Sequence, residues 1–200
     1  MTLNTVVLGT KNPGKIREIA KLFAPLGIPL LSLSDFAEIP DILEDGQSFR
    51  ENAEKKATGY ATALHRWVIA EDSGICVTVL KGAPGINSAR FAGENATDVE
   101  NNHKLMTEMQ NIPSEERAAF YICHVCVSDP SGSIRLNLKA LCRGYLTEEA
   151  RGTNGFGYDP YFQIAEYHRT FGELPDVVKS HISHRAKAFE KLARLIPTIA

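Results

Sequence analysis

Between Ile134 and Arg143 the chain alternates. Ile134, Leu136, Leu138, Ala140 and Cys142 stand on one parity, and Arg135, Asn137, Lys139, Leu141 and Arg143 on the other. A repeat of two belongs to a strand with one buried face. Just upstream, residues 119–128 are rich in Tyr, Ile, Val and Cys, and Pro130-Ser131-Gly132 supplies a tight turn between the two runs. The pair predicts an antiparallel hairpin, and a fold for this chain has to contain it.

The N-terminal half follows another rhythm. Thr5-Val6-Val7-Leu8-Gly9 is a short apolar run that reads as a buried strand. Asn12-Pro13 offers an N-cap and a first-turn proline, Ile16, Ile19, Ala20 and Phe23 follow at helical spacing, and Gly27 is expected to close that helix. Ser48 and Glu51 open a second helix with capping-box spacing, its apolar face made by Ala53, Ala57, Tyr60, Ala61 and Leu64. Trp67 to Ala70 reads as a second buried strand, with Glu71-Asp72-Ser73-Gly74 at its C-terminal tip. Thr97 and Glu100 start a third helix running through Met109, and Ser183 is expected to cap a last one with Ala186, Phe189, Ala193 and Ile196 on one face. Strands alternating with helices, then a hairpin, predict an α/β fold: a long mixed β-sheet with flanking helices, in a single domain of residues 1–200.

Composition narrows the function. With 22 Lys+Arg against 24 Asp+Glu, a net charge of -2 excludes both a globally basic nucleic-acid binder and an acidic solvating tail. Cys76, Cys123, Cys126 and Cys142 are too sparse for a secreted disulfide framework and predict a reducing, cytoplasmic setting. The longest uncharged stretch, Leu22 to Ser34, is thirteen residues broken by Pro25, Gly27 and Pro29, too short to span a membrane. No basic head followed by an apolar block marks a signal peptide. The charge is nonetheless segregated: Asp35 to Glu54 holds seven acids and one base, and Lys179 to Arg194 five bases and one acid. Two solvated surfaces account for this, and so do two patches facing one metal-bound anionic substrate.

Some signals fail. Cys123 and Cys126 have the C-x-x-C spacing of zinc and redox sites, but on a strand they point to opposite faces and act as small buried hydrophobes. His181 and His184 lack a second pair to make a metal site. Neither a G-x-x-x-x-G-K-[ST] nor a G-x-G-x-x-G motif follows the first strand.

Four polar, Gly-containing loops at element ends survive. Thr10-Lys11-Asn12-Pro13-Gly14-Lys15 puts helix-start N–H groups beside two lysines, which suits a polyphosphate; an ordinary strand-to-helix turn uses the same residues. Glu44-Asp45-Gly46-Gln47-Ser48 leads into Lys56, and capping explains Ser48 and Glu51 but neither Glu44 nor Lys56. The carboxylates of Glu71-Asp72, at a strand tip where open α/β sheets bind ligands, are hard oxygen donors that suit Mg²⁺. Gly155-Phe156-Gly157-Tyr158-Asp159-Pro160, with Lys179 and Ser183-His184-Arg185, offers rings to stack a base and donors for its edge; a tight turn with two core aromatics is the plainer account.

In this order the blocks resemble the inosine triphosphate pyrophosphatase (dITP/XTP pyrophosphatase) family, from residue 10 to residue 187, with Gly82-Ala83-Pro84-Gly85 and Ser88-Ala89-Arg90 continuing the match. Lys11 and Ala186 stand where that family commonly has Gly, and Glu71 replaces its first Asp. The resemblance implies a homodimer whose subunits have two lobes around a central active-site cleft. It implies Mg²⁺-dependent hydrolysis of ITP, dITP or XTP to monophosphate and pyrophosphate, with no nucleic-acid or membrane partner. Asp72 carries over as catalytic base or metal ligand, with Glu44 helping to hold Mg²⁺. Thr10 to Lys15, Lys56 and Ser73 carry over to the triphosphate and other substrate contacts, and Phe156, Gly157, Tyr158, Asp159, Lys179, His184 and Arg185 to the base end.

A 6-oxo purine offers an acceptor to His184, Arg185 or a backbone N–H. Adenine would leave a buried donor unpaired there, a cost of ~1–3 kcal/mol and so roughly 5- to 150-fold. Two other readings compete. A related pyrophosphatase preferring modified pyrimidines would turn over dTTP as well as ITP, and a nucleotide sensor or RNA-binding module would have no use for Asp72 beside its anion.

Overall fold

The computed structural model of the protein describes residues 5–199. Its strands are β1 Val6–Leu8, β2 Leu30–Ser32, β3 Trp67–Val77, β4 Ala118–Ser128, β5 Ile134–Leu146, β6 Phe162–Ile164 and β7 Arg169–Thr170. The helices are α1 Pro13–Phe23, α2 Phe49–Leu64, α3 Asp98–Glu108, α4 Asp176–Ile182 and α5 His184–Leu195. The strands form one mixed sheet in the order β2-β1-β3-β4-β5-β6-β7. β1 pairs parallel with both β2 and β3, whereas β5–β6 and β6–β7 are antiparallel. The predicted hairpin is β4–β5, turned at Asp129, whose carboxylate accepts from the N–H groups of Ser131 (2.9 Å) and Ser133 (3.1 Å).

The chain divides into two compact units. The first comprises residues 1–72, 123–140 and 185–200, the second 73–122 and 141–184. In the first unit the sheet is covered on both faces. Val6, Leu8, Trp67 and Ile69 turn to a core shared with Ile19 and Phe23 of α1 and Phe189 and Leu192 of α5. Val7, Val68 and Ala70, of opposite parity, turn to Ala53, Ala57 and Tyr60 of α2. Cys123 lies in the first of these cores and Cys126 in the second, so the C-x-x-C pair is split by the sheet. The second unit has its own core, in which Ile75, Leu105, Tyr121, Phe162 and Phe171 are buried.

Three local expectations need correction. The α1 helix ends at Phe23 and tightens into a 3-10 turn over Ala24–Leu26, which Gly27 closes at φ 65°. Pro25 has no N–H to continue the α-helical ladder. Residues 176–182 form α4, a short helix that the alternation and capping signals did not mark, and Ser183 separates it from α5. Glu71 and Asp72 do not end their strand: β3 runs on through the buried Ile75, Cys76 and Val77.

Candidate active site

In the first unit β1 stops at Leu8, opposite Ile69, and Gly9 N–H still donates to Ile69 O (2.8 Å). The β3 strand therefore outruns its parallel neighbour, and Glu71 and Asp72 project beyond the C-terminal end of β1 where the Thr10–Lys15 loop begins. Because α1 connects β1 to β2 on one side and β3 lies on the other, this is a topological switch point, where open α/β sheets bind ligands.

The strand's parity separates the two carboxylates. Glu71 falls on the α1/α5 face and is 1% exposed. Its Oε1 lies 3.0 Å from Lys15 Nζ and 3.3 Å from Arg185 Nη2, and its Oε2 accepts from Cys123 Sγ at 3.6 Å. Arg185 also pairs through Nη1 with Glu18 of α1. Burial alone would raise the Glu71 pKa, but Lys15 and Arg185, then Lys56, outweigh it and hold the carboxyl well below the usual range. Burial likewise opposes charge on Arg185, and Glu71 and Glu18 reverse the outcome.

Asp72 falls on the α2 face. Its Oδ2 accepts from Asn52 Nδ2 (3.2 Å), and its Oδ1 lies 3.5 Å from Lys56 Nζ. Lys56 Nζ donates in turn to Glu44 Oε2 at 2.6 Å. Glu44 and Asp72, far apart in sequence, are thus gathered on one cationic point. Burial is the main cause that raises the Asp72 pKa; Lys56 and Lys15 oppose it, and Glu71 and Glu44 reinforce it. Lys56, despite burial, is held above its ordinary value by Asp72 and Glu44.

The Thr10–Lys15 loop uses part of its own capacity. Asn12 caps α1 by accepting from Lys15 N–H (3.1 Å), Thr10 Oγ1 accepts from Asn12 N–H (3.2 Å), and Pro13 has no N–H to give. Attraction for an anion therefore rests chiefly on the ammonium groups of Lys11, paired at 3.4 Å with the exposed Asp41, and of Lys15. Gly14 is buried at the start of the helix.

The second unit holds the remaining predicted residues. Asp159 Oδ2 accepts from Phe156 N–H (2.9 Å) and from Lys179 Nζ (2.5 Å), and that ammonium sits 5.2 Å from the Phe156 ring centroid. Gly157 is tethered twice: its N–H donates to Asp98 Oδ2 (2.7 Å) and its carbonyl accepts from Asn102 Nδ2 (2.9 Å). The His184 ring lies flat on Tyr121, with centroids 4.6 Å apart at 8°. Ser73 is partly buried on β3.

Tyr158 and Arg185 are both buried and bonded within the protein. Tyr158 is a core residue, 4% exposed, whose hydroxyl donates to Ser88 O (2.8 Å), so of the two loop aromatics only Phe156 presents a partly open ring. Arg185 is 2% exposed and turned to Glu71 and Glu18. The basic run 179–194 is also divided, since Lys179 belongs to the second unit and Arg185 to the first. Sequence reasoning missed Asp98, Asn102 and Tyr121, and it placed Asn52 and Glu18 within matched runs without giving either a role. For Asn52 a signal exists: with Lys56 it makes an i, i+4 polar pair on the buried face of an otherwise apolar helix. A depression of about 590 Å³ lined by Gly93, Val99, Glu100 and His103 contains none of the site residues.

Known proteins are similar to this chain over nearly its whole length. The Ham1 family model matches residues 6–195. The chain belongs to the Ham1 family. A relative from Rhodopirellula baltica named dITP/XTP pyrophosphatase is 47% identical over 195 residues, covering 96% of this chain and 94% of that one. Another so named, from Geobacillus kaustophilus, is 46% identical and covers 95% and 93%. The solved structure of a HAM1 protein from Coxiella burnetii superposes with a TM-score of 0.88 at 34% identity, over 97% of this chain and 98% of that one. The mixed seven-stranded sheet with flanking helices is thus a Ham1 fold.

Proposed function

We propose that this Ham1 protein is a nucleoside-triphosphate pyrophosphatase that hydrolyses ITP, dITP and XTP to the monophosphate and pyrophosphate, removing them from the precursor pool. The names of its relatives support the reaction class. The observation that carries the reading here is the convergence of Glu44 and Asp72 on Lys56 Nζ beside a lysine-bearing loop.

The donor set fits Mg²⁺. Two hard carboxylates already share one cation, and Mg²⁺ commonly takes one or two protein carboxylates, completing its shell with phosphate and water oxygens. Glu44 and Asp72 would hold it, and when bound it neutralises charge on the departing pyrophosphate. In the proposed reaction the water oxygen bonds to the α-phosphorus and the bond to the α–β bridging oxygen breaks. Asp72 orients that water and receives its proton. Lys11, Lys15 and Lys56, with Thr10, Asn12, Pro13, Gly14 and Ser73, serve the triphosphate side. Phe156, Gly157, Asp159, Lys179 and His184 serve the base, with Tyr158 anchoring their loop and Arg185 acting through its ion pairs with Glu71 and Glu18.

Pyrophosphate release from ITP, dITP, XTP, GTP and dTTP, with and without Mg²⁺, tests the proposal. Equal rates for dTTP and ITP, or full activity in chelator, refute it. A homodimer in the cytoplasm completes the reading; among the described residues no helix is long and apolar enough to cross a membrane, and light scattering reads the subunit number.

A further inference from the structure

Asn52 stands in the first turn of α2, 1% exposed, with both ends of its amide engaged. Nδ2 donates to Asp72 Oδ2 (3.2 Å), and Oδ1 accepts from Gly46 N–H (2.8 Å). The opposite amide orientation would set a carbonyl oxygen against the carboxylate and an NH₂ against an N–H, so the two neighbours select this one. Gly46 lies two residues beyond Glu44. A Cβ there would meet Asn52 Oδ1 at 2.6 Å and Glu51 Cβ at 2.8 Å, so glycine is what allows the loop to approach the amide. The next residue is held as well, since Gln47 N–H donates to Glu51 Oε2 (2.8 Å).

The loop that carries Glu44 is therefore joined to Asp72 by two routes. One is ionic, through Lys56 at 2.6 and 3.5 Å. The other is neutral, through Gly46 and Asn52. A divalent cation held by Glu44 and Asp72 repels the Lys56 ammonium, which weakens the first route when it is needed. The amide carries no charge and meets no such conflict. We infer that Asn52 is a positioning residue that fixes Asp72 against the Glu44 loop independently of Lys56, so that the two carboxylates stay matched when a divalent metal replaces the ammonium between them. This rests on the proposed pyrophosphatase reading for its metal, and on geometry alone for its bonding.

The bonding is tested by thermal unfolding of the substrate-free, metal-free protein in a cycle of exchanges. Asn52→Asp keeps the acceptor for Gly46 N–H but sets a second carboxylate against Asp72, and is expected to lower Tm by several degrees. Adding Asp72→Asn restores a donor–acceptor pair in the reverse sense and should recover most of that loss. Additive effects of the two exchanges overturn the inference. The consequence for the site is read separately. Asn52→Ala should weaken Mn²⁺ binding, followed by electron paramagnetic resonance without nucleotide, by about 10-fold or more, and lower kcat on dITP similarly with little change in KM. A purely structural residue would leave Mn²⁺ affinity and kcat as in the wild type, and that result also overturns it. Absence of wild-type pyrophosphate release would refute the proposed function instead, leaving the unfolding cycle to decide the role of Asn52.

Discussion

Replacing Glu71 with glutamine removes one negative charge from the most buried part of the site. Lys15 then loses the carboxylate 3.0 Å from its ammonium, and Arg185, 2% exposed, keeps Glu18. Removing one partner of a buried ion pair typically costs 3–5 kcal/mol. Two features favour the low end here: the Lys15 side chain keeps 15% exposure and can turn outward, and Glu18 still faces Arg185. About 3 kcal/mol is expected, a fall in Tm of roughly 6–12 °C for a chain of this size. The pH dependence gives an independent check. The Glu71 pKa is lower in the folded protein than the unfolded value of about 4.3, so its contribution is complete above that pH and is lost as pH falls toward the folded value. The stability gap between wild type and Glu71→Gln should narrow by about 1.4 kcal/mol for each pH unit below about 4.3. Urea unfolding at pH 7 and pH 3 measures both. A variant within about 1 kcal/mol of wild type at pH 7, or a gap that stays constant into acid, refutes the idea that Glu71 is the counterion of Lys15 and Arg185.

The opposite sign is expected one residue on. Burial raises the Asp72 pKa in the folded protein, so ionisation at neutral pH works against the fold, and Asp72→Asn should lose ~10² or more in kcat while remaining at least as stable as wild type at pH 7. Gly155→Ala would place a Cβ on the Asp159 carboxylate at a backbone φ of +78°, and should raise KM for dITP and lower Tm together. The four cysteines are buried and outside any disulfide, and burial pushes the Cys126 thiol up to about 12, so an aromatic disulfide reagent should titrate them only on unfolding; rapid reaction in the native protein would contradict the packing.

The hairpin was legible because β5 needs no distant partner to declare its period, and the helix starts at Asn12, Ser48 and Thr97 were legible because capping is local chemistry. What escaped depended on chain far away. A run of Glu-Asp-Ser-Gly looks like the end of a strand, since two adjacent charges seldom enter a sheet. It is a strand interior here because Lys15, Arg185, Asn52 and Lys56 converge on those charges from three other elements. Tyr158 was legible as a core aromatic of its turn, but not its acceptor at Ser88, seventy positions earlier. The short α4 carries no side-chain cap at Pro175 and so leaves no local mark.

The charge balance also acquires a physical meaning once its partners are known. Three of the seven acids in the run pair with exposed bases, Asp41 with Lys11, Asp45 with Lys55 and Glu54 with Arg50, while Glu44 reaches the buried Lys56. The basic run is answered by Asp159 for Lys179 and by Glu71 and Glu18 for Arg185. The lysines of the Thr10–Lys15 loop are therefore already paired in the structure. Under the proposed function a triphosphate competes with Asp41 for Lys11 and with Glu71 for Lys15, and the two contests differ. Asp41 is fully exposed and its pairing is weak, as surface pairs are, so Lys11 can turn to a phosphate at little cost. Lys15 is held by an anion that also serves Arg185, so it is a fixed charge that a phosphate must approach where it stands. One loop thus combines a mobile cation with an anchored one. Lys15→Ala should accordingly damage alignment, seen in kcat, more than Lys11→Ala, whose loss should appear in KM and fade with rising salt.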